Sequence, residues 1–254
     1  MALQFASLGS GSKGNGTLVK SDHCLLLVDC GFTIKETELR MAKLGYNPSD
    51  LTAILVTHEH GDHISGVGPL ARRYKLPVYL THGSALYAGV AKLPVRQLID
   101  VHQGFNIEDI DVSPVVVPHD AREPCQFVFQ SRGRRLGILT DLGSITPHIV
   151  EQYQECDGLM LECNHDLNLL TMGPYPPSLK QRVAGLWGHL NNRQAALFLQ
   201  DINSERLQHL LISHLSEQNN KPELAVAAIA ECYRGEAPIS IANQSEGFEW
   251  LAIN

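Results

Sequence analysis

The sequence predicts an α/β fold in which two β-sheets pack face to face with helices on their outer sides. Strand-like apolar runs recur in both halves of the chain, helical patterns are interspersed between them, and no stretch has the composition of a linker. The chain has 254 residues, of which 44% are hydrophobic and 19% charged, with 21 Gly and 13 Pro. Such a chain can bury a sizeable core and is neither disordered nor fibrous. With no low-complexity tail and no short repeat, one domain spanning residues 1–254 is expected.

Taken in order, a strand at 3–8 leads into the Gly/Ser stretch Gly9-Ser10-Gly11-Ser12-Lys13-Gly14-Asn15-Gly16. That stretch lies between two strands and reads as a loop, not a joint. Strands at 17–20 and 24–29 follow, the second carrying the apolar run Leu25-Leu26-Leu27-Val28. A helix at 34–44 precedes a strand at 53–57; a helix at 66–74, a strand at 78–80 and a helix at 84–91 come next. Strands at 112–117, 126–130 and 135–140, a helix at 148–154 and a strand at 158–163 open the second half. A helix at 193–202, a strand at 207–213, a helix at 222–233 and strands at 239–242 and 248–253 complete it.

The longest apolar runs fall far short of the ~18 residues of a membrane span. No basic-then-apolar start precedes the first strand, so a cytoplasmic protein without a membrane role is expected. The six cysteines (Cys24, Cys30, Cys125, Cys156, Cys163, Cys232) include no Cys-x-x-Cys pair, and buried free thiols are expected. Twenty basic against 27 acidic side chains give a formal charge of −7. That argues against gripping nucleic acid through the overall field, but leaves room for a nuclease whose phosphate contacts are local and aided by metal ions. The basic runs Arg132/Arg134/Arg135 and Arg72/Arg73/Lys75 read as a hairpin tip and a solvated helix face rather than a nucleic-acid track.

Twelve histidines are more informative, because they cluster. His58-Glu59-His60-Gly61-Asp62-His63 runs off the end of an apolar strand, putting three imidazoles and a carboxylate within six residues. Crowding these groups costs hydration unless something holds them together, and a divalent cation does so. Imidazole and carboxylate suit Zn²⁺, Mn²⁺ or Fe²⁺. His58 and His60 point to one side of an extended chain, while Asp62 and His63 follow a turn and can face a second ion. His119, Asp141 and His214 each stand at the end of a later apolar strand, where layered α/β sheets present their chemistry. His23, His82, His102, His148 and His209 carry no such context.

This order of strand-end ligands resembles that of metallo-β-lactamase-fold hydrolases, whose fold is a four-layer αββα sandwich. The resemblance runs through nearly the whole chain. Ser7-Leu8-Gly9-Ser10-Gly11-Ser12-Lys13-Gly14-Asn15, Asp29-Cys30-Gly31, Thr140-Asp141-Leu142-Gly143, Leu161-Glu162-Cys163-Asn164-His165-Asp166, Gly188-His189-Leu190-Asn191-Asn192 and Ser213-His214-Leu215-Ser216-Glu217-Gln218-Asn219-Asn220 are similar to the YycJ-like (WalJ-type) branch, regarded as DNA 5′→3′ exonuclease-like. The long inserted (β-CASP) nuclease domain of more distant relatives cannot fit, since only 72 residues separate Asp141 from His214.

Carried over residue by residue, the resemblance implies two divalent ions, Zn or Mn, with Fe admissible. His58, His60 and His119 would hold the first, Asp62, His63 and His214 the second, with Asp141 bridging both. The ions would activate a bridging water that Asp62 also holds, and His189 would meet the phosphate or protonate the leaving group. Asp29 is either a turn aspartate before Gly31 or a carboxylate orienting the ligand loop. Asn191 or Asn192 can cap the helix at 193–202, where backbone N–H groups attract phosphate. Ser12 and Lys13 lie on a loop whose glycines permit close approach to substrate. Glu162 and His165 fall near the site by context. The expected activity is a phosphodiester hydrolase acting on nucleic acid, duplex DNA in first place. A hydrolase of small cyclic or nucleotide phosphodiesters is the second reading, and a non-catalytic metal-binding regulator the third. The resemblance also admits a homodimer.

Overall fold

Two seven-stranded sheets face one another in the computed structural model, which describes residues 3–254. The first takes β1 (Leu3–Gly9), β2 (Gly16–Lys20), β3 (Leu25–Val28), β4 (Ala53–Leu55), β5 (Pro77–Leu80) and β6 (Val95–Leu98). The second takes β7 (Phe105–Ile107), β8 (Ile110–Val116), β9 (Cys125–Ser131), β10 (Arg134–Leu139), β11 (Gly158–Glu162), β12 (His209–Ser213) and β13 (Ile239–Ile241). The last strand, β14 (Phe248–Ile253), returns to pair antiparallel with β1. Each sheet is mixed. β3 to β6 run parallel in the first, β10 to β13 parallel in the second.

The apolar runs exist because these strands are buried on both faces. In β3, Leu26 and Val28 face the core between the sheets, while Leu25 and Leu27 face the outer core under the helices. β4 does the same with Ala53 and Leu55 inward and Ile54 outward. In the second sheet Met160 of β11 and Leu211 of β12 point to the inter-sheet core, and Leu159, Leu161, Leu210 and Ile212 point to the opposite outer layer. Successive side chains alternate by geometry, so a continuous apolar strand needs a partner on each side.

Helices supply those outer partners. α1 (Ile34–Lys43), α2 (Gly61–Ile64) and α3 (Val67–Tyr74) lie among the elements of the first half. Met41 of α1 and Leu70 of α3 join the outer core of the first sheet. α4 (Pro147–Gln152), α5 (Leu167–Met172), α6 (Pro177–Val183), α7 (Asn192–Asp201) and α8 (Pro222–Cys232) belong to the second half. Ile149 of α4, Phe198 and Leu199 of α7, and Ala225 and Ile229 of α8 cover the second sheet. The four-layer order expected from the sequence results. No described helix is long and apolar enough to cross a membrane. All six cysteines are free thiols, five of them buried and Cys232 half-buried.

Several elements differ from expectation. The helix expected at 84–91 is two 3₁₀ turns, Ser84–Leu86 and Ala88–Val90, interrupted where Tyr87 turns extended. β6 shows no apolar alternation because all four of its residues are exposed on a sheet edge, and β7 is only three residues long. Asp62 and His63 lie within the short helix α2 rather than after a turn. α5 and α6 break the stretch between β11 and α7, both mostly exposed and so without an apolar stripe. The Arg132/Arg134/Arg135 run does sit at a hairpin tip, between β9 and β10, and Arg72 and Arg73 lie in the last turn of α3.

Candidate metal centre

The parallel strands of both sheets carry their C-terminal ends to one edge of the sandwich, and the chemistry-bearing side chains collect there. Asp29 follows β3, His58 follows β4, Asp141 follows β10, Glu162 ends β11, and His214 follows β12. Three of these strand-end residues turn sharply: Asp29, Asp141 and His214 have φ of 60°, 56° and 53°. Asp and His tolerate this left-handed region better than most residues, and such strain is characteristic of functional sites. The loop behind α2 needs close backbone approach as well. A Cβ on Gly31 would stand 1.9 Å from the Asp62 carbonyl oxygen, so only glycine fits against the metal-type loop.

One group of ring nitrogens converges tightly. His58 Nε2 lies 3.0 Å from His60 Nδ1, which lies 3.2 Å from His119 Nε2. A tetrahedral zinc ion with ligands at about 2.0–2.1 Å would set its donors about 3.3 Å apart, so the spacing is nearly that of a metal-binding face. A second group gathers Asp62, His63 and His214. Asp141 stands between the groups: its Oδ2 lies 3.2 Å from His63 Nε2 and 2.9 Å from His214 Nδ1, and it also clusters with His58. These donors, all nitrogen and oxygen and mostly buried, suit divalent metal binding.

Electrostatics fit the same reading. Burial works against a charged His63, yet the carboxylates of Asp141, Asp29 and Asp62 outweigh it and raise its pKa to about 10. Burial lowers His58 well below the usual imidazole value, helped by the neighbouring His63 charge, and burial lowers His119. Burial of Asp141 favours its neutral form, but His214 and His63 hold its carboxyl well below the ordinary range. Three carboxylates, Asp29, Asp62 and Asp141, thus gather around His63, and a divalent cation bound here would add positive charge to that cluster.

Outer partners fix the rings. Asp29 Oδ2 accepts from His63 Nδ1 at 2.8 Å and from the Thr57 hydroxyl at 2.7 Å, while its Oδ1 accepts the Thr57 N–H at 2.8 Å. Thr57 Oγ1 in turn lies 2.9 Å from His58 Nδ1, so one carboxylate orients a ring of each group. The Gly188 carbonyl lies 3.0 Å from His119 Nδ1. Changing Asp29 to Asn removes an acceptor that both His63 and Thr57 use. We expect divalent-metal affinity to fall by about 10–100-fold, measured by competition with a chromogenic chelator. Unchanged affinity would reduce Asp29 to a turn residue.

His189 stands beside the cluster with Nδ1 2.7 Å from Glu162 Oε1. Burial alone would lower its pKa, but Glu162 outweighs that and raises it to about 9. The remaining Glu162 oxygen accepts the backbone N–H groups of Leu142 and Leu190, so this fully buried carboxylate is committed to orientation. The cleft over the site measures about 350 Å³ and includes Ser12, Asp62, His189 and His214 in its wall, with Arg182 its sole Arg or Lys. Arg182 Nε donates to Asp120 Oδ2, whose other oxygen lies 3.7 Å from His60 Nε2.

The remaining residues singled out in the sequence lie around the cluster. Asn191 caps α7 through a reciprocal capping box with Gln194, and Asn192 exchanges paired amide hydrogen bonds with Asn220. Both asparagines line a separate cavity and not the cleft over the cluster, and their side chains tie helix to loop. His165 is buried, its two ring nitrogens make no hydrogen bond with described residues, and burial lowers its pKa to about 4. Lys13 pairs with Glu217 at 2.6 Å. Sequence reasoning gave no role to Asn15, whose Nδ2 lies 3.0 Å from His63 Nε2 while its amide is oriented by Gly11.

A family model described as "Beta-lactamase superfamily domain" matches residues 25–212. The chain therefore belongs to the metallo-β-lactamase superfamily, in its YycJ-like branch. It is 37% identical over 235 residues to the exodeoxyribonuclease YycJ of Bacillus anthracis, an alignment covering 91% of this chain and 89% of that protein. It is 33% identical over 231 residues to the exodeoxyribonuclease WalJ of Streptococcus pneumoniae, covering 89% and 86%. Among solved structures, the metallo-β-lactamase fold protein YhfI of Bacillus subtilis superposes with a TM-score of 0.75 at 20% identity, covering 99% of each chain, a likeness of fold.

Proposed function

We propose that this chain is a binuclear metal-dependent phosphodiester hydrolase that degrades DNA from a 5′ end. The observation that carries the reading is the Asp141 carboxylate set between two three-residue donor groups at the base of an open cleft. His58, His60 and His119 would hold one ion, Asp62, His63 and His214 the other, and Asp141 both. Zn²⁺ and Mn²⁺ suit the donor set, and Fe²⁺ is compatible with it. Two such ions would acidify a water and neutralise the non-bridging oxygens of a phosphodiester.

The protein's own groups complete the chemistry. Asp62, in the cleft wall, orients the attacking water through its carboxylate. His189, kept protonated by Glu162, donates its proton to the departing oxygen. The names of the two relatives that align over almost their full lengths supply DNA as the polymer and exonucleolytic attack as the mode.

A hydrolase of small phosphodiesters is the second reading, favoured by the net charge of −7 and by a cleft with one Arg and no Lys among its described residues. Mn²⁺-dependent digestion of a 5′-phosphorylated duplex, labelled separately at each end, separates the two. We expect mononucleotide release to start at the 5′ end and to slow steeply with salt, by roughly 0.9 in logarithmic slope for each phosphate contacted. Intact DNA alongside hydrolysis of bis(p-nitrophenyl) phosphate would move the substrate to small esters.

A further inference from the structure

A second cavity of about 310 Å³ adjoins the metal cleft, and Leu215 and Ser216, which directly follow His214, belong to the walls of both. Its lining combines apolar Pro222, Ile241 and Ala242 with the amide of Asn243 and the hydroxyl of Ser245, while the Asn220 and Gln244 amides in the same wall are paired with Asn192 and with the Lys13–Gly14 backbone. Apolar surface with a few hydrogen-bonding groups is what a nucleoside needs on its ring faces and edges. The volume is that of a small-ligand site.

An ion pair stands beside the wall the two cavities share: Glu217 directly follows the shared Ser216, and Lys13 follows Ser12 of the cleft. Ser12 lines the cleft and Glu217 lines the second cavity, and the Lys13 ammonium reaches across to Glu217 Oε2 at 2.6 Å. The main chain at Lys13 is anchored: its N–H donates to Gln244 Oε1 at 2.7 Å, and Gln244 Nε2 donates to the Gly14 carbonyl at 2.8 Å. The ammonium is not. Its side chain is 68% exposed and that of Glu217 50%, and ion pairs so exposed add little and exchange readily.

We propose that the second cavity holds the nucleotide next to the one in the metal cleft, and that Lys13 leaves Glu217 to take the phosphate joining the two. The proposal rests on the phosphodiesterase reading above and adds a polymer-specific subsite to it. Without substrate, Glu217 occupies the ammonium at the junction; a chain phosphate displaces it, and the carboxylate turns to solvent. A substrate of a single nucleotide cannot make this exchange.

Opposite signs for the two partners test it. On duplex DNA, Lys13→Ala is expected to raise KM about tenfold, the loss of one charge-assisted contact, and to reduce the salt slope by roughly 0.9. Glu217→Ala is expected to lower KM about threefold, because it frees Lys13 and removes a like charge from the path of the phosphate chain. With the p-nitrophenyl ester of thymidine 5′-phosphate, the Glu217→Ala gain should vanish. If both substitutions shift KM for DNA in the same direction, the pair is a structural tie and the subsite is wrong. An equal gain on both substrates would likewise overturn it. Failure of the unaltered enzyme to cleave either nucleotide substrate, with bis(p-nitrophenyl) phosphate still hydrolysed, would instead overturn the nuclease reading beneath it.

Discussion

Replacing Asp141 by alanine is expected to lower kcat for phosphodiester hydrolysis by roughly a thousandfold or more, the equivalent of several kcal/mol of lost charge stabilisation. Its carboxylate clusters with donors of both groups, His58 of the first and His63 and His214 of the second. The loss should appear in metal content as well as in rate. Elemental analysis of the unaltered protein is expected to give two ions per chain, and of the alanine variant at most one. Removing the carboxylate also takes away a buried partner of both His63 and His214, so a thermal melt must accompany the assay to separate misfolding from lost chemistry. A folded variant with full metal content and full rate would remove Asp141 from the centre.

The second large effect belongs to His189. Alanine there is expected to lower kcat by about 10²–10⁴ on a substrate with a poor leaving group, such as the sugar hydroxyl of DNA. The loss should be much smaller with p-nitrophenolate, which departs without a proton. Its pH dependence has a definite sign. Glu162 raises the imidazole pKa to about 9, so the protonated acid persists through neutral pH and activity should decline as pH rises through that value. Glu162→Gln removes the charge and lowers the pKa toward the ordinary value of about 6.5, so the decline should begin near neutrality. A limb that stays in place in the Gln variant would assign it to another group. Equal losses on both leaving groups in the alanine variant would refute proton donation.

The residues that gather at the sheet edge were largely legible in the chain, because a run of candidate metal donors leaves a local trace. His58, His60, Asp62 and His63 lie within six residues, and the remaining donors share one context, a polar residue after an apolar strand. Partnerships across long separations left no such trace. Glu162 and His189 are 27 residues apart, and nothing short of folding shows that the carboxylate is spent on that ring and on two backbone amides. The cap expected at Asn191 or Asn192 is made by Asn191, whereas the pairing of the Asn192 amide with Asn220, 28 residues on, had no local trace. Of the strands and helices that escaped notice, β6, α5 and α6 are mostly exposed, and patterning records only burial, while β7 and α2 are too short to show a period.

The donor groups are divided between the two sheets. His58, His60, Asp62 and His63 issue from the first, whereas His119, Asp141 and His214 issue from the second. Metal held by these groups would be a rivet through a seam, and its bite would depend on how far apart the halves of the sandwich sit. Phe5 and Phe127, packed between the sheets, act as spacers for that gap. A residue with no contact to the chemistry can thus set the reach of the ligands, and shaving a spacer in the middle of the sandwich tightens or loosens the grip at its edge.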